Sequence, residues 1–423
     1  MKKFLLTLVT LLTAGSVAAG HASAQSKLLI PMDLDQSDHL KAYGIVFWSL
    51  QKGAEMDWLL NYRGGSFIAD YNDLLAAECR IRGVQFEQID GGASSIYALV
   101  QSEEKNMDVV RLEKAPRIAV YVPPGNQPWD DAVTMALTYA EVKYDKIWDE
   151  EVISGKLAQY DWLHLHHEDW TGQHGKFYGS YNGAPWYQAQ VRLLDETAKK
   201  LGFSKVPELK LAVAQKIKEF VGNGGFMFAM CSATDSYDIA LAAQNTDIVD
   251  GVLDGDPYDP AFIQKLDFTQ TFAFENFQPD PNPFVYEYSN IDVAPIEIGS
   301  EESDYFTLFD YSAKQDPVPS MLTQNHVGVV KGFMGQTTMF HKDKIKKNVT
   351  ILGERNGTDQ VRYLFSNFGR GFFAFYGGHD PEDYQHAVGD PPTDLKLHKN
   401  SPGYRLILNN ILFPAAKKKK LKT

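Results

Sequence analysis

Residues 224–233 read Gly-Gly-Phe-Met-Phe-Ala-Met-Cys-Ser-Ala, an apolar run that leads directly into a cysteine. This order predicts a buried strand, a sharp turn at Cys231 and a helix behind it. At a nucleophile elbow the residues two before and two after the nucleophile are small, because the strand and the helix approach each other closely there. Ala229 and Ala233 occupy those two positions. The stretch therefore predicts that Cys231 is a nucleophile at a strained strand-to-helix turn.

A second apolar strand is predicted far downstream, at residues 371–376, and it is followed by Gly-Gly-His-Asp-Pro-Glu. This places an imidazole, His379, three residues before a carboxylate, Glu382. A thiol is weakly nucleophilic until a neighbouring imidazole and a helix N-terminus favour the thiolate. We therefore expect His379 to act as the base for Cys231 and Glu382 to orient the imidazole, with Asp380 as the competing orienting group.

The residue after the nucleophile completes this predicted site. At an elbow its backbone amide lies at the start of a helix, so the N–H of Ser232 is expected to contribute to an oxyanion hole. The alternative is purely structural. A free cysteine is often a small buried hydrophobe, and in that case His379 is a polar residue at a strand end.

The elbow and the late His-Asp-Pro-Glu motif together resemble the class I glutamine amidotransferase superfamily, in which the second motif is His-Pro-Glu. The resemblance covers residues 117–384 and implies a flavodoxin-like α/β fold, with a mostly parallel sheet and helices on both faces. Two departures are visible. The usual Gly-x-Cys-x-Gly is Ala-Met-Cys-Ser-Ala here, and one residue is inserted between His379 and Pro381. The resemblance implies the fold and does not by itself imply glutaminase activity.

Over its whole length the chain also resembles exported bacterial proteins often labelled asparagine synthetase B. Enzymes that truly carry out that reaction resemble an amidotransferase with a processed N-terminal cysteine, joined to a Ser-Gly-Gly-x-Asp-Ser pyrophosphatase loop. This chain is predicted to mature to Gln25, and its Gly-Gly-Ala-Ser-Ser at residues 91–95 lacks the aspartate. ATP-dependent asparagine synthesis is therefore not expected.

A histidine-rich segment at residues 164–174 reads His-Leu-His-His-Glu-Asp-Trp-Thr-Gly-Gln-His. It replaces the glycine-rich loop that supplies an oxyanion donor in relatives that hydrolyse glutamine. The segment follows a predicted strand, and ligands of α/β folds bind at the carboxyl ends of strands. We expect His166, His167 and Glu168 to bind substrate or stabilise an oxyanion. A metal site is the alternative, although the spacing matches no established metal motif.

Composition limits the remaining possibilities. The formal charge of the 423-residue chain is −13, which gives no electrostatic support for nucleic-acid binding. Residues 1–24 have the pattern of a secretory signal peptide, with Lys2 and Lys3 before an apolar run and Ala-Ser-Ala at the end. We expect an exported protein, periplasmic or extracellular, with no transmembrane segment and with Cys79 and Cys231 as free thiols.

The predicted organisation after the signal peptide has three parts. Residues 25–114 are expected to form a small β-α-β-α-β unit that ends in a charged linker, and residues 415–423 form a basic tail. Residues 115–414 are expected to form the amidotransferase-like domain. Two insertions interrupt this domain, an aromatic and glycine-rich candidate lid at about 166–187 and an irregular Asp- and Pro-rich stretch at about 247–316.

The sequence thus predicts an exported amidotransferase-like protein that acts as a Cys-His-Glu dependent amidase or other hydrolase, with no cofactor. Two alternatives remain open. One is a non-catalytic protein on the same fold that binds a small molecule, a sugar or a peptide. The other is a metal-dependent hydrolase that uses His164–His174.

Overall fold

The structure is a computed structural model that describes residues 25–125 and 127–416. The predicted signal peptide, residues 1–24, and the lysine-rich residues 417–423 lie outside the described residues. No helix within the described ranges has both the length and the apolar character needed to cross a bilayer. Cys79 and Cys231 are both free thiols.

Strands and helices alternate along most of the chain. The strands of the described residues are β1 (Lys27–Ile30), β2 (Met56–Leu60), β3 (Ser66–Asp70), β4 (Glu87–Ile89), β5 (Asp108–Leu112), β6 (Ile118–Tyr121), β7 (Asp145–Ile147), β8 (Trp162–Leu165), β9 (Phe226–Met230), β10 (Tyr305–Leu308), β11 (Val329–Lys331), β12 (Phe340–His341), β13 (Thr350–Glu354), β14 (Gln360–Phe368) and β15 (Gly371–Tyr376). The helices are α1 (His39–Gln51), α2 (Asp73–Arg82), α3 (Ser94–Val100), α4 (Ala132–Tyr139), α5 (Asp149–Ile153), α6 (Tyr178–Tyr181), α7 (Pro185–Lys200), α8 (Val206–Gly222), α9 (Ser232–Ala242), α10 (Gly251–Asp254), α11 (Pro295–Ile298), α12 (Pro317–Leu322) and α13 (Pro402–Leu412).

The N-terminal unit is an antiparallel sheet with strand order β4-β1-β3-β2-β5 among the described residues. It corrects two expectations from the sequence. The unit contains β3, which follows the Gly64-Gly65 turn and pairs with both β1 and β2. The charged segment expected to be a linker contains β5, which pairs with β2 along its whole length.

The larger sheet is mixed, and its described strands follow the order β11-β10-β13-β14-β15-β9-β8-β6-β7, with β12 paired to β14. Pairing is parallel from β15 through β9, β8 and β6 to β7, and it is antiparallel on the other side of β15. The irregular stretch predicted at 247–316 contributes one strand of this sheet, β10. The protein is therefore an α/β protein with a large mixed sheet.

Both faces of the parallel half are covered. In β9, Phe226, Phe228 and Met230 pack into one apolar cluster, whereas Met227 and Ala229 pack into another on the opposite face. This division follows from the two-residue repeat of a strand, and it explains why β9 is apolar along its entire length. The first cluster also contains Tyr43 and Trp58 of the N-terminal unit, so the two sheets share one core.

Candidate active site

Cys231 is the point where the chain turns from β9 into α9. Its backbone has φ 54° and ψ −140°, a conformation that residues with a side chain rarely adopt. Ala229 and Ala233 on either side are both fully buried. The small side chains allow this close approach between the strand and the first turn of the helix, and the turn holds the Cys231 side chain at the carboxyl edge of the sheet.

The thiol of Cys231 is enclosed by backbone amides. The N–H of Gln336 donates to Cys231 Sγ at 3.2 Å. Burial raises the pKa of the Cys231 thiol to about 11, and the backbone amides of Thr337, Gln336 and Ser232 act in the opposite direction. The sulfur is therefore protonated at rest and lies in a ring of donors that would favour negative charge on it.

His379 reaches the same edge of the sheet because β15 runs parallel to β9. Tyr376, the last residue of β15, is in register with Met230, the last residue of β9, so both chains leave the sheet at one level. Burial lowers the pKa of the His379 imidazole to about 3, which makes it neutral. A nitrogen of His379 and the sulfur of Cys231 lie within 4.8 Å of each other.

The structure does not bring Glu382 to His379. The carboxylate of Glu382 instead pairs with His398, with 2.8 Å between Oε2 and Nδ1. Asp380, the competing orienting group, is fully buried and accepts hydrogen bonds from the Glu382 backbone N–H and the Thr393 hydroxyl. The chain turns directly after His379, with an isolated bridge between Asp380 and Asp383, and both carboxylates have partners other than the His379 imidazole.

Asp130 takes the place predicted for Glu382. Its Oδ1 lies 3.4 Å from His379 Nε2 and 3.2 Å from His386 Nε2. The neighbouring Asp131 caps the N-terminus of α4, because its carboxylate accepts from the Thr134 N–H at 2.8 Å. Neither aspartate was among the site residues predicted from the sequence.

The histidines after β8 lie against His379. His166 is buried, and its ring stacks on that of His167 with centroids 3.6 Å apart. The His167 ring is in turn 4.2 Å from the His379 ring. Burial lowers the pKa of His166 to about 4 and that of His167 well below its usual range. The cluster therefore presents neutral imidazoles to Cys231, as its close ring contacts require.

His164 supports this cluster from within the sheet. It is fully buried, and its Nδ1 lies 3.1 Å from the backbone oxygen of Phe228 in β9. Its Nε2 lies 3.5 Å from Asp131 Oδ2, while Asp131 Oδ1 lies at the same distance from His166 Nδ1. Asp131 therefore bridges two histidines that belong to the same segment.

Glu168 is not directed at Cys231. Its carboxylate lies 3.8 Å from the ammonium group of Lys210, which is buried and also pairs with Asp149 at 3.3 Å. Burial raises the pKa of Glu168 to about 8 despite the nearby lysine. The predicted role of Glu168 in substrate binding stays a prediction, and its contacts place it in a buried network beside the site.

Two further buried groups lie next to the elbow. The hydroxyl of Ser232 is fully buried and lacks a hydrogen-bond partner among the described residues. Asp235, one turn into α9, accepts from the Thr337 hydroxyl at 2.8 Å, and burial raises its pKa to about 7. Asp235 was not among the site residues predicted from the sequence, although its position three residues after Ser232, in the first turn of the predicted elbow helix, could have indicated it.

The candidate lid is anchored to the body of the protein. The ammonium group of Lys176 donates to the backbone oxygens of Asp280 and Asn282, both at 2.8 Å, so it ties the first insertion to the second. Trp129 packs against both Phe177 and Trp186, with ring centroids 5.4 Å away in each case. Trp129 also contacts the His167 ring at 5.7 Å, which connects this aromatic cluster to the histidines.

A large cavity lies elsewhere in the protein. It has a volume of about 1550 Å³ and is lined by Gly224, Gly225 and Phe226 at the beginning of β9, together with Phe372 at the beginning of β15. Cys231 and His379 lie beyond the opposite ends of the same two strands. The cavity and the cysteine site are therefore separated by the length of strands β9 and β15.

Comparisons with known proteins leave the activity open. No protein-family profile matches the chain, and no curated protein matches it. A cytoplasmic protein from Salmonella typhimurium is 13% identical, with 71% of this chain and 100% of that chain covered and a TM-score of 0.35. A second cytoplasmic protein, from Salmonella typhimurium LT2, is 11% identical over the same shares, with a TM-score of 0.38. A β-galactosidase from Bacillus circulans sp. alkalophilus is 11% identical, covers 62% of this chain and 28% of its own, and has a TM-score of 0.26.

Proposed function

We propose that this chain is an exported cysteine-dependent hydrolase of the amidase or related acyl-transfer type, on a flavodoxin-like fold similar to that of class I amidotransferases. Cys231 is its nucleophile and His379 is its general base. The main support is the backbone of Cys231, which has φ 54° at the junction of β9 and α9. Residues held in such sparsely populated conformations cost about 1–3 kcal/mol each and cluster at functional sites.

The neighbours of the sulfur support the same assignment. A buried cysteine with only a packing role needs apolar neighbours, yet Cys231 has the N–H of Gln336 at 3.2 Å and the His379 imidazole within 4.8 Å. A nucleophile needs both a base within reach and donors for the charge that develops. The amide of Ser232, at the start of α9, remains the proposed oxyanion donor.

The reaction begins from a neutral thiol and a neutral imidazole. As the sulfur of Cys231 bonds to the carbonyl carbon of the substrate, its proton passes to His379. His379 then gives this proton to the leaving amine or alcohol, and a thioester remains on Cys231. Water attacks the thioester while His379 takes a proton from it, and the thiol is restored with release of the acid.

Asp130 takes the positioning role in this proposal. Its Oδ1 lies 3.4 Å from His379 Nε2, so the carboxylate stabilises the imidazolium that forms when His379 accepts a proton. Glu382 has no such role, because it pairs with His398. The proposed constellation is therefore Cys231, His379 and Asp130.

The proposal is tested with p-nitrophenyl acetate, a small activated ester that needs little specific binding. We expect chelator-treated wild-type protein to release a burst of one nitrophenolate per chain and to carry an acetyl group on Cys231. Cys79→Ser is the matched control, since it removes the other thiol and should leave the burst unchanged. A burst that survives Cys231→Ala would contradict the proposal.

A further inference from the structure

Four side chains from three separate parts of the chain converge at the carboxyl edge of the sheet. His166 and His167 follow β8, Cys231 ends β9, and His379 follows β15. One nitrogen or sulfur atom from each lies within 4.8 Å of the others. His174, which the sequence analysis grouped with the first two histidines, does not belong to this set. The four residues come together because β8, β9 and β15 are parallel neighbours that end at the same edge of the sheet, and not because of their spacing within one sequence motif.

Each imidazole of the set has one ring nitrogen directed at the backing residues Asp130 and Asp131. His166 Nδ1 lies 3.5 Å from Asp131 Oδ1, and His379 Nε2 lies 3.4 Å from Asp130 Oδ1. His167 Nε2 lies 2.9 Å from the backbone oxygen of Asp130. Histidines that bind a metal almost always donate their other N–H to a carboxylate or carbonyl in this way. The second nitrogen of each imidazole ring therefore remains available to bind one shared metal ion.

A buried nitrogen of His166 independently indicates that this cluster of four residues binds a further group. The Nε2 of His166 is buried without any hydrogen-bond partner among the described residues, whereas its Nδ1 faces Asp131 Oδ1 at 3.5 Å. A buried polar atom without a partner costs about 1–3 kcal/mol, so it calls for an explanation. A cation that binds the free Nε2 would supply the missing interaction.

The donor set fits a borderline-soft transition metal. Three neutral imidazoles and one thiolate suit zinc or cobalt, whereas magnesium and calcium prefer oxygen ligands. Tetrahedral zinc with bonds of about 2.0 Å to nitrogen and 2.3 Å to sulfur places its ligand atoms roughly 3.3–3.5 Å apart. The four side chains need to move inward by only about 1 Å from their present spacing of up to 4.8 Å.

We propose that His166, His167, Cys231 and His379 form a binding site for one zinc-type divalent cation, with Cys231 as its thiolate ligand. Binding replaces the thiol proton, which is released to solvent. A sulfur held by the metal is not free to attack a carbonyl, so the bound cation silences Cys231. This second consequence rests on the proposed function, whereas the metal site itself does not.

The test is a titration of purified, chelator-treated protein with Co²⁺, which reports thiolate ligation through a sulfur-to-cobalt charge-transfer absorption. We expect one ion per chain, with the absorption present in wild type and in Cys79→Ser. Cys231→Ser should lose the absorption. His398→Ala is a matched histidine control, because His398 pairs with Glu382 outside the set, and it should bind like wild type.

Asp131→Asn examines the backing residue without disturbing the helix. Asparagine caps a helix as well as aspartate does, so α4 keeps its N-cap while His166 loses its carboxylate partner. Loss of such a partner typically lowers metal affinity by about 10–100-fold. The site is refuted if folded wild-type protein binds no Co²⁺, or if the charge-transfer absorption persists in Cys231→Ser.

The metal site and the nucleophile can fail separately. The acetylation of Cys231 by p-nitrophenyl acetate is measured in chelator and again after one equivalent of Zn²⁺. Acetylation in chelator that zinc abolishes supports the silencing. Stoichiometric Co²⁺ binding through Cys231 without any acetylation in chelator supports the metal site and refutes the nucleophile. Acetylation that zinc does not affect overturns the silencing.

Discussion

The two cysteines are both buried, but they differ in backbone conformation and in the groups that surround the sulfur. Cys79 is fully buried in the regular helix α2 of the N-terminal unit, and Cys231 is 2% exposed at the end of β9. Burial raises the pKa of both thiols, to about 12 for Cys79 and about 11 for Cys231. Only Cys231 combines a backbone of positive φ with backbone donors and imidazoles around its sulfur. Burial alone therefore does not mark a site, whereas converging polar groups at a strained turn do.

Removal of each thiol gives the largest expected contrast. Cys231→Ala should lower the turnover of p-nitrophenyl acetate by roughly 10³-fold or more, because the nucleophile of a covalent mechanism is lost. Cys79→Ala should change turnover by less than about 2-fold, since its surroundings are apolar helix packing. Steady-state rates in chelator measure both variants. Equal losses in the two variants would mean that the cysteines do not differ in function.

Two histidines that each pair with a carboxylate, His379 with Asp130 and His398 with Glu382, extend the comparison. His379→Gln should slow acylation of Cys231 by roughly 10²–10⁴-fold, the usual contribution of a positioned general base. His398→Gln is its control, because it removes the partner of Glu382 and leaves Cys231 untouched. Stopped-flow release of nitrophenolate gives the acylation rate. A comparable loss in His398→Gln would restore Glu382 to the site.

The backbone at the two cysteines predicts opposite responses to glycine. Cys231→Gly should be more stable than Cys231→Ala by about 1 kcal/mol, because glycine adopts φ 54° without strain. Cys79→Gly should be less stable than Cys79→Ala by about 1 kcal/mol, because glycine is unfavourable within a helix. The comparison with alanine cancels the lost thiol. Urea denaturation of the four variants measures the free energies of unfolding.

The junction between the two sheets predicts a smaller effect of pH. His39 of α1 stacks on His326 with ring centroids 4.2 Å apart, and Arg405 Nη1 lies 3.3 Å from His326 Nδ1. Burial, then the neighbouring His39 and Arg405, lowers the pKa of His326 to about 3. The unfolded chain takes up a proton below about pH 6.5, whereas folded His326 stays neutral, so its contribution is complete above pH 6.5 and falls toward pH 3.

The size of this pH effect is set by a single proton. Between pH 6.5 and 5.5 the wild type should lose about 1 kcal/mol more stability than His326→Gln, which cannot be protonated in this range. Urea midpoints at the two pH values provide the measurement, and the difference between the two proteins removes the contribution of the carboxyl groups. An equal change of the unfolding free energy with pH in the two proteins would show that folded His326 takes up a proton as readily as it does in the unfolded chain.

The local part of the site was predictable from sequence. The β9–Cys231–α9 turn depends on an apolar run, two alanines and a cysteine that are contiguous in the chain. The end of β15 at Tyr376 was equally visible in its pattern, and parallel pairing with β9 then carries His379 to Cys231. Both predictions depend on the pattern of apolar residues along the backbone, and this pattern can be seen within one continuous segment of the sequence.

The remainder depends on contacts between distant loops. Asp130 contacts His379 from the turn before α4. The two residues are far apart in the chain, so no local sequence pattern indicates this contact. Glu382 lies only three residues from His379 but turns toward His398. The strand β5 (Asp108–Leu112) was hidden because its five residues, Asp-Val-Val-Arg-Leu, do not alternate regularly and follow a highly charged stretch. Side-chain direction in loops and the pairing of an edge strand are fixed by tertiary packing, which local pattern does not contain.

The role of Cys231 as nucleophile is tested most directly by the site of acylation in chelator-treated protein after a brief reaction with p-nitrophenyl acetate. Peptide mass spectrometry of the quenched protein compares Cys231 with Cys79 in wild type and in His379→Gln. We expect one acetyl group per chain, on Cys231 alone, with its rate of formation strongly reduced in His379→Gln. An unmodified Cys231, or equal acetylation in both proteins, would contradict the nucleophile and favour a non-catalytic binding protein.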